Sequence, residues 1–200
     1  MYKQSFKEST PNITASYTKQ VLDTYQELLN KSYALIDEKQ MQRVVELISN
    51  KKRIYTYGRG SSGLVAQEMK LRLMRLGVNV ESISDSHIMK MNSVLMDEDC
   101  LVIGISVSGN TKEVTNSLKE ASNRGASVVL ITSKQDEEMK TYCDEILFIA
   151  VKEHLENGKA ISPQFPVLVI VDIFYSHFLQ SDRLRKEELH SNTINALYNE

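Results

Sequence analysis

Cysteine is scarce in this chain: the two present, Cys100 and Cys143, sit in apolar surroundings and lack C-x-x-C spacing. That argues against a disulfide scaffold and predicts buried free thiols in a reducing compartment. No apolar run approaches membrane-spanning length, and the opening stretch Met1–Glu8 has no apolar centre for a signal peptide. A cytoplasmic protein with no membrane partner is expected. An excess of charge of one sign is also missing. The formal net charge of −2 at pH 7 gives no electrostatic footprint for free-standing binding to nucleic acid. The four histidines, His87, His154, His177 and His190, show no metal-ligand spacing with cysteine or carboxylate. None of them adjoins Ser106 or Ser108 to activate a nucleophile. Metal and serine hydrolases are therefore not expected, nor is any metal or cofactor. Repeats and low-complexity tracts are absent from the sequence.

What is present suits a globular domain. Two hundred residues favour one domain with room for an appendage, and apolar and charged shares of 42% and 25% allow a buried core. Residues 1–14 read as a flexible polar arm. Residues 15–50 read as two helices, with Val21, Leu22, Tyr25, Leu28 and Leu29 at helical spacing and Met41, Val44, Val45 and Ile48 repeating it. Short apolar runs then alternate with amphipathic segments. Strands are predicted at Arg53–Tyr57, Asn79–Ile83, Cys100–Ser106, Ser127–Thr132 and Glu145–Ile149. Helices are predicted at Ser62–Leu76, Ser86–Val94, Thr111–Arg124, Asp136–Tyr142 and Pro163–Gln180, with an amphipathic C-terminal helix over 183–200. Gly77 and Gly125 fall where helix-ending glycines belong. This order implies a three-layer α/β/α sandwich around a five-stranded parallel sheet, with helical extensions at both ends. Met69, Leu71, Leu73, Met74 and Leu76 read as helix core. Asp172, in an otherwise apolar helix, requires a partner or a subunit contact. The helices at 15–36 and 163–198 carry more apolar surface than one small sheet covers, so a homodimer or homotetramer is expected.

Ligands of parallel sheets bind outside the carboxyl ends of the strands, and two loops lie there. Gly58-Arg59-Gly60-Ser61-Ser62-Gly63 satisfies G-x-G-x-x-G between a strand and a helix. A dinucleotide would want an acidic residue near the end of the next strand, and Glu81 and Asp85 stand close to it. Glycines serving only a tight turn would look the same. Arg59, Ser61 and Ser62 suit a compact anion better than an extended pyrophosphate. The second loop, Ser106-Val107-Ser108-Gly109-Asn110-Thr111, is more specific. A plain N-cap needs one hydroxyl; this loop offers three, at a helix N-terminus whose free N–H groups and dipole favour a phosphate. Thr132 and Ser133 add two hydroxyls on the same edge. His87, next to Asp85, can reach a ligand there as a contact or a base. Glu113 fits the helix dipole. Glu153 and His154 precede a polar turn, Glu156–Lys159, and read as solvated.

These loops and the strand–helix order resemble a SIS (sugar isomerase) domain over about residues 40–180. The resemblance implies that residues 51–182 form a phosphosugar-binding domain, in which the hydroxyls of Ser61, Ser62, Ser106, Ser108 and Thr111 hold the phosphate. Gly58, Arg59, Gly60, Gly109 and Asn110 complete the candidate site, with His87 near the sugar. A sugar phosphate or amino-sugar phosphate is the ligand implied. Gly158–Ser162 followed by an apolar helix is similar to the RpiR/MurR branch, where such a domain senses a sugar phosphate for a helix-turn-helix regulator. Enzymatic members carry a glutamate near the start of the helix after the last strand. The matching position here is about Val167, with Gln164 the nearest polar side chain, and neither takes a proton at neutral pH. No catalytic residue is assigned. The expectation is the effector-sensing part of a regulator of carbohydrate metabolism, with a phosphosugar aldose–ketose isomerase as the alternative. The stretch before Ile54 is too short for a helix-turn-helix and its linker helix, so direct DNA binding by this chain is not expected.

Overall fold

Period-two alternation in the apolar runs builds the centre of the fold. In the computed structural model, which describes residues 13–151 and 161–198, Leu101, Ile103 and Ile105 face one side of the sheet while Cys100 and Val102 face the other. Val129 and Ile131 alternate with Val128 and Leu130 in the same way. Strands buried on both faces are what a parallel sheet under two helical layers requires.

The elements in chain order are α1 (Ile13–Ala34), α2 (Glu38–Asn50), β1 (Arg53–Gly58), α3 (Ser61–Arg75), β2 (Val80–Ile83), α4 (Ser86–Ser93) and β3 (Cys100–Ile105). Then follow α5 (Lys112–Asn123), β4 (Ser127–Thr132), a 3-10 turn (Glu137–Thr141), β5 (Glu145–Phe148), α6 (Phe165–Ser181) and α7 (Arg183–Tyr198). All strand pairings are parallel, in the order β2-β1-β3-β4-β5. Helices α2, α3 and α6 cover one face, and α4, α5 and the 3-10 turn cover the other. Helix α1 adds a third, smaller cluster in which Leu28 packs with Ala150 and Ile161. Tyr25 meets Phe165 edge to face there, with ring centroids 4.5 Å apart.

Local chemistry sets the element ends. Asp37 and Asp85 cap α2 and α4, each accepting two backbone N–H groups. Glu145 ties β5 to α2 by accepting from Gln40 Nε2 at 2.9 Å and pairing with Arg43. The Tyr57 ring is fully buried, its O–H donating to Asn92 Oδ1 at 2.6 Å, and burial raises its phenol pKa far above normal. Tyr57→Phe should therefore cost about 1–2 kcal/mol in chemical denaturation with the fold kept, since Asn92 loses its donor.

Several expectations change. Of the two alternatives for Asp172, the structure gives the partner, since Asp172 is exposed and paired with Arg72. Leu71 and Met74 face outward, while Met69, Leu73 and Leu76 are core. Position i+2 and i+5 of that stretch leave the buried stripe, as a helix demands. Cys100 is buried but Cys143 only partly so; both are free, and burial pushes the Cys143 thiol up to about 12. The segment after β4 is a 3-10 turn rather than an α-helix, capped by Asp136 through the N–H of Glu138. Helix α7 buries only Lys186, whose Nζ donates to the Phe178 carbonyl at 2.6 Å. Most of the expected arm, Glu153, His154 and the turn Glu156–Lys159 lie outside the described residues. Among the described residues no helix is long and apolar enough to cross a membrane, and no group of histidine, cysteine and carboxylate could hold a metal.

Candidate functional site

The chain leaves β1 for one edge of the sheet and returns at β3 to build the other, so a crevice opens between the carboxyl ends of these neighbours. Gly58 pairs in register with Ile105, which brings the two hydroxyl-bearing loops out side by side. Helix α3 starts at Ser61 and α5 at Lys112, so both helix N-termini stand at that edge, although the N–H groups of Ser62, Gly63 and Val114 are already bonded to the carbonyls of Arg59, Gly60 and Thr111.

The first loop needs glycine for two separate reasons. A Cβ on Gly58 would stand 2.5 Å from the Ser62 carbonyl oxygen, so the strand end and the helix start touch backbone to backbone. Gly60 has φ +54 and ψ −127, a conformation L side chains avoid, and occupies the N-cap without any side chain to satisfy the helix. Ser61 is exposed and Ser62 half-buried.

In the second loop, Gly109 turns at φ +66 and its N–H donates to the Ser106 carbonyl at 2.9 Å. Thr111 takes the N-cap position of α5 but its side chain makes no capping hydrogen bond. Ser108 Oγ accepts from the Asn110 N–H at 3.3 Å and keeps its proton for another acceptor. Ser106 is 1% exposed, and its hydroxyl has no partner among the described residues. A buried unpaired hydroxyl is costly unless something else fills the place. The capping account of this loop therefore fails: the hydroxyls that a helix would use are not spent on it.

The other expected contacts separate. His87 lies exposed in the first turn of α4, on the wall of a groove of about 530 Å³ between α4 and α5 that Lys112 and Glu113 also line. Asp85 is committed to the α4 cap. The N–H of Ile88 holds its carboxyl below the usual range, with His87 and Arg59 adding to the effect. With Asp85 so engaged, and Glu81 inside the strand rather than at its end, the ribose position of a dinucleotide is unfilled. Val167, placed at the glutamate position by sequence, lies in the first turn of α6 and is wholly buried in the core. Gln164 is the residue that meets the site, its Nε2 donating to the Ser61 carbonyl at 3.4 Å. Thr132 and Ser133 turn their hydroxyls to the Val107 carbonyl. Only the fold makes this visible: nothing in the spacing connects Ser133 to Val107, or Gln164 to Ser61.

Two neighbouring loops rich in hydroxyls and glycine, each opening a helix at the switch point of a parallel sheet, define an α/β anion-binding domain. The chain belongs to the SIS domain family, whose sequence profile matches residues 47–171. A similar curated protein, an uncharacterised HTH-type transcriptional regulator of Haemophilus influenzae, is 28% identical over 170 residues, covering 85% of this chain and 59% of that one. The chain thus spans about three fifths of the length of the curated relatives it matches. Two solved structures share the fold. The Vibrio vulnificus NanR protein complexed with ManNAc-6P superposes with a TM-score of 0.83 at 24% identity, over 92% of this chain and 69% of that one. The sugar isomerase domain of the RpiR transcription factor from Sphaerobacter thermophilus gives 0.79 at 18% identity, over 89% and 98%.

Proposed function

We propose that this chain is the phosphosugar-sensing domain of an RpiR-type regulator of carbohydrate metabolism, acting in the cytoplasm as a homodimer or homotetramer. The single observation that carries the reading is the buried, unpartnered Ser106 hydroxyl beside the uncommitted hydroxyls of Ser108 and Thr111. Together with Ser61 and Ser62 they supply neutral donors, and the first turns of α3 and α5 supply dipole. Dianionic phosphate esters are the chemistry this selects. His87 and Gln164 flank the loops and would address the sugar. The resemblance to NanR, which binds ManNAc-6P, favours an amino-sugar 6-phosphate among the candidates.

Sensing rather than conversion is supported by the side chain that meets the first loop, the amide of Gln164. An amide cannot shuttle a proton between carbons. DNA contact belongs to a part of the regulator other than these residues. A sensor of this kind works only if ligand binds one subunit arrangement more tightly than another. The test is a panel of hexose, pentose and amino-sugar phosphates, followed by both thermal shift and product analysis. A rise in melting temperature without turnover is expected. Turnover well above background would replace the sensor reading by the isomerase one, and no response to any phosphosugar would remove both.

A further inference from the structure

A loop that cradles an anion must turn its carbonyl oxygens away, because the negative end of each peptide dipole repels what the N–H end attracts. In the second loop the Ser106 carbonyl is engaged by the Gly109 N–H, and the Thr111 carbonyl by the N–H groups of Val114 and Thr115 at 3.0 Å. The Val107 carbonyl is the one held from outside. Ser133, just past β4, gives it both its N–H at 2.9 Å and its hydroxyl at 2.7 Å, and Thr132 Oγ1 lies 3.4 Å away. One backbone N–H already satisfies a carbonyl; the side-chain bond is additional. The same corner packs on the loop's turn, since Lys134 Cβ stands 2.6 Å from where a Cβ on Gly109 would be.

Resting on the phosphosugar reading above, we propose that Ser133 is a positioning residue. It anchors the Val107 carbonyl away from the anion and so sets Ser106, Ser108 and Thr111 in place. It is not itself a phosphate ligand, because its one hydroxyl proton is spent on Val107 and a phosphate dianion needs donors. Ser133→Ala removes the side-chain bond of the tether and leaves only the backbone N–H on the Val107 carbonyl, whereas Ser133→Thr keeps the hydroxyl.

The experiment pairs calorimetric titration of ManNAc-6P, glucosamine 6-phosphate and ribose 5-phosphate with amide hydrogen exchange of the ligand-free loop. Ser133→Ala should weaken every phosphosugar that the wild type binds by a common factor of about ten. It should also speed exchange at Gly109 and Asn110 relative to the flanking strands, and Ser133→Thr should restore both. Unchanged loop exchange in Ser133→Ala overturns the tether. Failure of Ser133→Thr to restore binding also overturns it, and so does a loss confined to one sugar, which would make Ser133 a direct sugar contact. If the wild type binds none of the three, the phosphosugar reading falls, while the exchange data still decide whether Ser133 holds the loop.

Discussion

Ser106→Ala should stabilise the ligand-free protein and at the same time weaken phosphosugar binding. The hydroxyl is buried without a partner among the described residues, and such a group costs about 1–3 kcal/mol relative to one that is hydrogen-bonded. Alanine removes the polar atom and leaves the Ser106 N–H bond to the Ile131 carbonyl intact. A gain of about 1 kcal/mol corresponds to roughly 2–4 °C in melting temperature for a domain of this size. On the binding side, a hydrogen bond to a charged phosphate contributes about 1.5–3 kcal/mol, so affinity should fall about 10- to 150-fold. Opposite signs in the two measurements are the signature of a group kept for a ligand rather than for the fold. Ser108→Ala and Thr111→Val differ in a useful way. Both side chains reach solvent, so affinity should drop while the melting temperature barely moves. Loss of stability in Ser106→Ala would mean that the hydroxyl has an internal partner, and the phosphate role would then pass to the other two.

The layered fold was legible because its signals are local. The short apolar runs at Ser127–Thr132 and Cys100–Ile105 read as buried strands from composition alone, and the strands fell within a residue or so of their observed ends. Asp85 and Asp37 stand where capping residues belong, and Gly77 and Gly125 where helices stop with positive φ. The two anion loops were legible for the same reason: hydroxyls and glycines at fixed spacing beside a strand end. What was not legible is long-range. The stretch Asp136–Tyr142 after β4 has helical composition, but Asp136 capping and the short reach to β5 leave it a single 3-10 turn. That Asp172 requires a partner is legible in the sequence, but its identity is not: Arg72 comes from α3, one hundred residues earlier. Val167 lies in α6 and Gln164 at its N-cap, three residues apart, so almost one turn decides which of them meets the site and which fills the core. Sequence spacing alone gives no phase for that turn.

Gly58→Ala should be the most damaging small substitution in the site, and the reason is distance rather than dihedral angle. The new methyl would sit 2.5 Å from the Ser62 carbonyl oxygen, 2.6 Å from its carbon and 2.9 Å from the Gly63 nitrogen. All three are backbone atoms of the first turn of α3, so no side-chain rotation relieves the clash. Overpacking of this kind costs about 3 kcal/mol, the upper end of the usual range, equivalent to a fall of roughly 6–12 °C in melting temperature. Relief requires α3 to withdraw from β1, which carries Ser61 and Ser62 away from Ser106 and Ser108, so phosphosugar binding should fall below detection. Gly60→Ala separates the two roles of glycine in this loop. Its Cβ would meet nothing within 4 Å, and only its backbone conformation resists a side chain, at about 1–3 kcal/mol. Space is therefore the constraint at one glycine and conformation at the other, with only Arg59 between them. A Gly58→Ala protein that melted within 2 °C of wild type and kept its affinity would show that the strand end and the helix do not touch, and with them the cradle would have to be rebuilt on the second loop alone.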